Sequence, residues 1–257
     1  MMKDSPSLVR SALLTRHGFV HGFSTRLGGV SAAPFDSLQL GRALGDEPAC
    51  VEENHARFAA EAGFEPERLF EVSQVHGRVV REVAPQELPA DVRREEADGL
   101  LSAVTGAVVG VRTADCLPLL LADPQSGAVA AIHGGWRGVV AGIVVDGVHA
   151  LCALAGCSPG RLVAAIGPHI RVASFEVGED VAARIARAAP GLEGVIEERD
   201  PRPHVDLARV VRFQLETLGL EAIDDVGGDT FAEPQRFYSH RRDAARAGRM
   251  LSVIEAR

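Results

Sequence analysis

The chain has 257 residues, a length one large core can serve, and its 46% apolar and 24% charged content is that of a globular protein rather than a disordered or fibrous one. A formal net charge of −8 argues against a general binder of nucleic acid or of a membrane surface, both of which require a positive field, but leaves room for a local basic pocket. Four scattered cysteines do not make a disulfide framework, and no secretory leader or spanning apolar run is visible, so a cytoplasmic protein is expected.

In chain order, residues 19 to 25 read as a short strand, followed by a glycine-rich turn at Leu27 to Val30. Pro48 in a first turn, with Val51, Phe58 and Ala59 on one face, predicts a helix of about 15 residues ending near Gly63. Residues 68 to 82 read as two strands with His76 at the bend before Gly77, and the polar run 85 to 98 reads as a surface loop. Two β-rich runs then flank Pro124-Gln125-Ser126-Gly127, which predicts a hairpin. A long apolar stretch after Gly138 has helical length and ends at a glycine. A strand at 161 to 167, a helix near 179 to 189, a helix opened by Asp206 and closed at Gly219, and a final strand complete the chain. Strands mixed with helices predict an α/β fold: a single layered domain over residues 1 to 257, with a mixed β-sheet covered by helices.

The hairpin carries the chemistry. With the turn centred between Pro124 and Gln125, Asp123 faces Ser126 and Cys116 faces His133. Residues directly opposed on one face have Cβ atoms roughly 4.5 to 5.5 Å apart, close enough for a thiolate and an imidazole to share a zinc ion. A turn one residue longer or shorter would send the two side chains to opposite faces. By itself Cys116 reads as a small buried hydrophobe and His76 as a hydrogen-bonded structural residue, since the spacing of the three matches no local zinc pattern. The setting of Cys116 points the other way: it follows Asp115 and faces a histidine succeeded by two glycines, which leave room near the backbone. Gly134-Gly135-Trp136-Arg137-Gly138 runs into a predicted helix, and free N–H groups beside an arginine are a plausible anion site, although the lone tryptophan also suits simple packing. Arg241 and Arg242 stand beside aromatics near the C-terminus, where a solvated loop is the plainer reading. Lys3 is the only lysine among 27 basic residues, so arginine at any one position carries little information.

Taken together, several segments resemble the YfiH family, also called the laccase-like polyphenol oxidase, peptidoglycan editing factor or purine nucleoside phosphorylase YfiH/FAMIN family. They are Phe23-Ser24-Thr25-Arg26 with Gly28-Gly29-Val30-Ser31, Ser37-Leu38-Gln39-Leu40-Gly41, Gln74-Val75-His76-Gly77, Ala97-Asp98-Gly99, Thr113-Ala114-Asp115-Cys116-Leu117-Pro118, His133-Gly134-Gly135-Trp136-Arg137-Gly138, Phe175-Glu176-Val177-Gly178, and Arg241-Arg242-Asp243 with Gly248-Arg249-Met250. The resemblance implies a single layered α/β domain and a zinc ion held by His76, Cys116 and His133, the three residues it also marks as catalytic. It implies phosphorolysis of adenosine, inosine and methylthioadenosine and deamination of adenosine, so the implied partners are purine nucleosides and phosphate, with no nucleic acid and no membrane. Copper and oxidase activity toward phenols are also attached to the family's name. Gln39 stands where the family usually has asparagine, His55 where arginine is usual, and the stretch 230 to 234 lacks a cysteine often found there.

Three protein ligands with an open fourth position describe a catalytic zinc site, and phosphorolysis further requires an anion pocket, for which Arg26, Arg137, Arg241 and Arg242 are candidates as a group. A metal-free cysteine hydrolase with Cys116 as nucleophile, and a non-catalytic factor binding a cell-wall precursor, are the alternatives. A true multicopper laccase needs closely paired histidines, and nine scattered ones without a His-x-His pair do not supply them. Oxidase activity is therefore expected to be weak and dependent on added copper.

Overall fold

A computed structural model describes residues 7–257. Thirteen strands and eight α-helices are seen among them. One sheet contains β1 (Leu8–Val9), β2 (His21–Ser24), β3 (Leu69–Phe70), β6 (Val108–Thr113) and β13 (Met250–Glu255), in the order β1-β2-β13-β6-β3. A second contains β4 (Val80–Glu82), β5 (Gly99–Ser102), β7 (Leu117–Ala122), β8 (Val129–Gly134), β9 (Val163–Ile166) and β12 (Ala222–Asp225), in the order β12-β9-β7-β8-β5-β4. A two-stranded ribbon pairs β10 (Ile196–Glu197) with β11 (His204–Val205). The helices are α1 (Ala12–Arg16), α2 (Pro48–Ala62), α3 (Pro89–Val92), α4 (Trp136–Ala141), α5 (Ile143–Ala155), α6 (Glu179–Arg187), α7 (Leu207–Thr217) and α8 (His240–Asp243). The class is mixed α/β, as the pattern of elements predicted, with the strands divided between two large mixed sheets.

Strand periodicity builds the layers. Along β7, Leu119 and Leu121 pack under the helices while Leu120 and Ala122 face the other sheet; along β8, Ala130 and Ile132 alternate with Val129 and Ala131 in the same way. Val109 and Val111 of β6, Phe23 and Ile254 complete the apolar layer between the sheets. The outer face of the six-stranded sheet carries Val144, Val148 and Leu151 of α5 and Val210, Val211 and Leu215 of α7. On the outer face of the five-stranded sheet, Phe58, Ala59 and Ala62 of α2 meet Leu251 and Val253. The result is a helix–sheet–sheet–helix stack whose central strands are buried on both faces and therefore read as continuous apolar runs.

Three expectations are corrected. The hairpin register pairs Pro118 with His133 and Asp123 with Ala128, two residues away from the predicted pairing, because all four residues of Pro124-Gln125-Ser126-Gly127 lie in the turn. The buried Asp123 carboxylate accepts from the N–H groups of Gln125 and Ser126, and Gly127 sits at φ 79, which stabilises the longer turn. Two residues are one full pleat period, so the face of each side chain is preserved. The apolar stretch after Gly138 is two helices rather than one, separated at Gly142 with φ 99, and the first begins at Trp136. The run 85 to 98 is a loop interrupted by α3, and it ends on buried Ala97 and Asp98 rather than at the surface.

Candidate metal centre and cleft

His76, Cys116 and His133 come together at one end of the central strands of the six-stranded sheet. Antiparallel β7 begins where β8 ends, β5 begins beside that point, and β4 runs parallel to β5. The residue before β7, the penultimate residue of β8 and the loop entering β4 therefore share one rim. Cys116 also lies where the chain crosses from the five-stranded sheet, by way of β6, to the six-stranded sheet.

The ligand atoms of the three side chains all lie within 4.8 Å of one another, with Cys116 Sγ 3.8 Å from His76 Nε2 and the two imidazoles edge to face at 4.8 Å between centroids. Tetrahedral zinc, with bonds of about 2.3 Å to sulfur and 2.0 Å to nitrogen, sets two such atoms about 3.5 Å apart, so the donor set fits a metal with small movements. Among the described residues this is the one group of three or more His, Cys, Asp or Glu side chains gathered this closely.

Asp98 organises the centre. It is fully buried, and its carboxylate accepts from the N–H groups of Val75 (3.3 Å), His76 (2.8 Å) and Gly77 (2.6 Å). These bonds hold His76 at φ 60, a left-handed conformation that a non-glycine residue adopts only when its surroundings impose it. The same carboxylate takes a 2.8 Å hydrogen bond from His133 Nδ1, leaving Nε2 as the ligand atom, which is the carboxylate–histidine arrangement usual behind metal ligands. Sequence reasoning placed Asp98 in a motif but gave it no role; an aspartate closing a polar run just before an apolar strand was the available signal.

Cys116 is fixed from the other side. Asp115, at φ 85, accepts from Thr230 Oγ1 (2.8 Å) and from the Arg241 N–H (2.6 Å), which ties the crossover to the C-terminal segment. Burial opposes ionisation of the Cys116 thiol, yet the positive charge of His133, aided by His76, pulls it down to about 6. Burial also disfavours charged His133, but the Cys116 thiolate and Asp98 lift it to about 9. Without a metal the pair favours a thiolate beside an imidazolium; a metal cation held there would take the place of the His133 Nε2 proton, while the Nδ1 proton stays with Asp98. The glycines after His133 supply space: a Cβ on Gly135 would lie 3.0 Å from the His76 ring, and one on Gly138 would lie 2.6 Å from the Gly77 carbonyl oxygen.

The triad forms part of the wall of a cleft of about 630 Å³, a size suited to a small-molecule ligand. Its lining includes Arg42, Arg112, Arg137, Arg249 and His240 and no aspartate or glutamate, so an acidic chain carries a basic pocket. Of the four arginines expected to serve together, Arg137 lines this cleft, stacked at 4.6 Å on Trp136. The others lie outside that lining. Arg26 bonds to the carbonyls of Asp36 and Pro234, Arg241 to that of Glu176, and Arg242 to those of Thr230, Phe231 and Phe237. Arg42 and Arg112 escaped sequence reasoning, and Arg249 stood in a matching segment without a role, because the three are distant in the chain and the arginine-rich composition hid them. Gln39 and His55 lie one layer behind the cleft: Gln39 Nε2 donates to the Gly41 carbonyl, and His55 Nε2 lies 3.1 Å from the Leu40 carbonyl oxygen.

A family model described as multi-copper polyphenol oxidoreductase laccase matches residues 20–257. The chain belongs to this family, the YfiH family. Among curated YfiH-family relatives, the purine nucleoside phosphorylase of Deinococcus radiodurans is 44% identical over 91% of this chain and 88% of its own length. A protein of the same name from Mycobacterium tuberculosis is 38% identical over 90% and 89%. Of solved structures, the Bacillus licheniformis hypothetical protein YfiH superposes with a TM-score of 0.90 at 26% identity, covering 99% of this chain and 98% of that one. YlmD from Geobacillus stearothermophilus gives 0.89 at 29%, covering 100% and 98%.

Proposed function

We propose that this YfiH-family chain is a zinc-dependent purine nucleoside phosphorylase acting on adenosine, inosine and methylthioadenosine, with adenosine deaminase activity at the same centre. The observation that carries this reading is the adjacency of an open His76-Cys116-His133 donor set and an arginine-lined cleft free of carboxylates. The names of the relatives support its phosphorylase part. Zinc, when bound, supplies a Lewis-acid charge in the cleft wall. The chain's own residues supply the rest. Asp98 orients His133 and the bend at His76, while the cleft arginines attract phosphate and balance its charge. In phosphorolysis a phosphate oxygen takes the ribose C1′ as the C1′–N9 bond breaks and the base leaves with a proton; deamination exchanges the C6 amino group for oxygen from water and releases ammonia.

Chromatography of adenosine incubated with enzyme and phosphate tests the reading. Adenine and ribose 1-phosphate should form, and omitting phosphate should abolish both while leaving inosine formation. Cys116→Ala should suppress both routes by several powers of ten, since each ~1.4 kcal/mol of barrier is tenfold in rate. No turnover of any of the three nucleosides by fully zinc-loaded protein would remove the reading. The closeness of Cys116 Sγ to His76 Nε2 keeps a metal-free cysteine hydrolase as the second reading, and reversible loss of activity on chelation separates the two.

A further inference from the structure

We propose that Arg42, Arg112 and Arg249 form a subsite for a phosphoryl dianion in the cleft, and that buried Glu71 is the positioning residue that aims two of them. This deepens the phosphorylase reading, on which it rests, by naming where the phosphate sits. Glu71 is 1% exposed, and neither of its carboxylate oxygens has a hydrogen-bond partner. Arg42 Nε stands 3.7 Å and Arg112 Nη1 3.5 Å away, within ion-pair reach. A carboxylate buried this deeply without donors is costly, and it persists here as the counter-charge of a guanidinium cluster. Arg93 is close enough for its charge to act on Arg42 and Glu71, so Glu71 and the largely exposed Glu52 face Arg42, Arg93 and Arg112. Arg249 interacts with Arg112 and with the negative charges of Asp115 and Cys116, while Arg42, Arg112 and Arg249 line the cleft with no carboxylate in its wall.

The three lining arginines arrive on adjoining segments. Leu251 pairs with Arg112 in the β13–β6 ladder, two residues beyond Arg249, and the Leu40 N–H donates to the Arg249 carbonyl, two residues before Arg42. Arg112 is further anchored by the Val72 carbonyl (2.7 Å), while its backbone exchanges two 2.8 Å bonds with the Gln74 side chain. Such anchoring leaves little side-chain entropy to lose when an anion binds. The forked donors of arginine suit phosphoryl oxygens.

Calorimetric titration of the metal-bearing full chain with sodium phosphate, at fixed ionic strength and without nucleoside, reads the subsite directly. Arg112→Ala and Arg249→Ala should each weaken phosphate binding about tenfold or more, the usual loss for a charged hydrogen bond. Glu71→Gln should raise the KM for phosphate by a similar factor and leave the KM for nucleoside within about twofold. Should Glu71→Gln not fold, Arg42→Ala stands in and should show the same split. Adenosine 5′-monophosphate displacing bound phosphate would assign the subsite to an esterified phosphate, and failure to displace would assign it to the inorganic ion; both preserve the subsite. Phosphate affinity within about twofold of the parent in both arginine variants, or equal rises in both KM values, overturns it. Arginine-dependent phosphate binding with no base released from any nucleoside would instead remove the phosphorylase reading and leave the subsite standing.

Discussion

Asp98 shows how much one side chain decides. Its two oxygens hold the backbone bend at His76 and the ring of His133, so two of the three candidate metal donors depend on it. Asp98→Asn is expected to lower metal affinity about 10- to 100-fold, the usual effect of losing a carboxylate behind a histidine ligand; competition with a coloured chelator measures it, and unchanged affinity would deny Asp98 that role. The neighbouring thiol gives a second test in metal-free protein. Iodoacetamide labelling of Cys116, followed by peptide mass, should rise with pH about a midpoint near 6, because the thiolate form increases upward through its depressed pKa. Cys152 serves as the internal contrast, since burial and its neighbour Cys157 push its thiol up to about 12. A Cys116 midpoint near the ordinary 9 would show that the histidines do not act on it.

Among the elements, the β7–β8 hairpin sets the distance between Cys116 and His133, and its turn is held by Asp123. That carboxylate receives Arg161 through Nε at 2.8 Å and Nη2 at 2.7 Å, in addition to the turn N–H groups. Removing it by Asp123→Ala takes away the acceptor of the Gln125 and Ser126 N–H groups and opens the turn, with an expected cost of about 1 to 3 kcal/mol in denaturant titration. The pH dependence has a definite sign. Burial would raise the Asp123 pKa, but Arg161 and Ser126 outweigh it and hold the carboxyl below its ordinary 3.8. Stability from this group is therefore complete above 3.8 and lost as pH falls through the lower native value, and the Asp123→Ala variant should lack that acid-side loss.

At the scale of the molecule, the candidate metal donors run from the loop before β4 to His133 within β8, so a bound metal would tie both sheets through the crossover at Cys116. A ligand that binds only the folded state stabilises it by about 4 kcal/mol when its free concentration is a thousand times its Kd. Stripping metal should thus lower the calorimetric Tm by several degrees, restored by adding zinc back, and Cys116→Ala should show neither change. A Tm indifferent to metal in the parent chain would mean that the donor set is not occupied.

The α2 boundaries, the hairpin, the capping by Asp206 and the mixed α/β class were legible in the sequence because each rests on local signals: a first-turn proline, a left-handed glycine, an aspartate N-cap and period-two alternation. Cys116 and His133 were also within reach, since one turn relates them; the error of two residues in register did no harm, being a whole pleat. Other features depended on contacts between distant segments. Two sheets rather than one, the short strand β5, the buried end of the polar run at Asp98 and the kink at Gly142 are settled by which faces pack together. The meeting of Arg42, Arg112 and Arg249 is likewise tertiary: no periodicity relates them, and in a chain with a single lysine an arginine declares nothing until the sheets bring it to the cleft. Side-chain periodicity chooses faces locally, but only the closing of the layers determines which charges share a pocket.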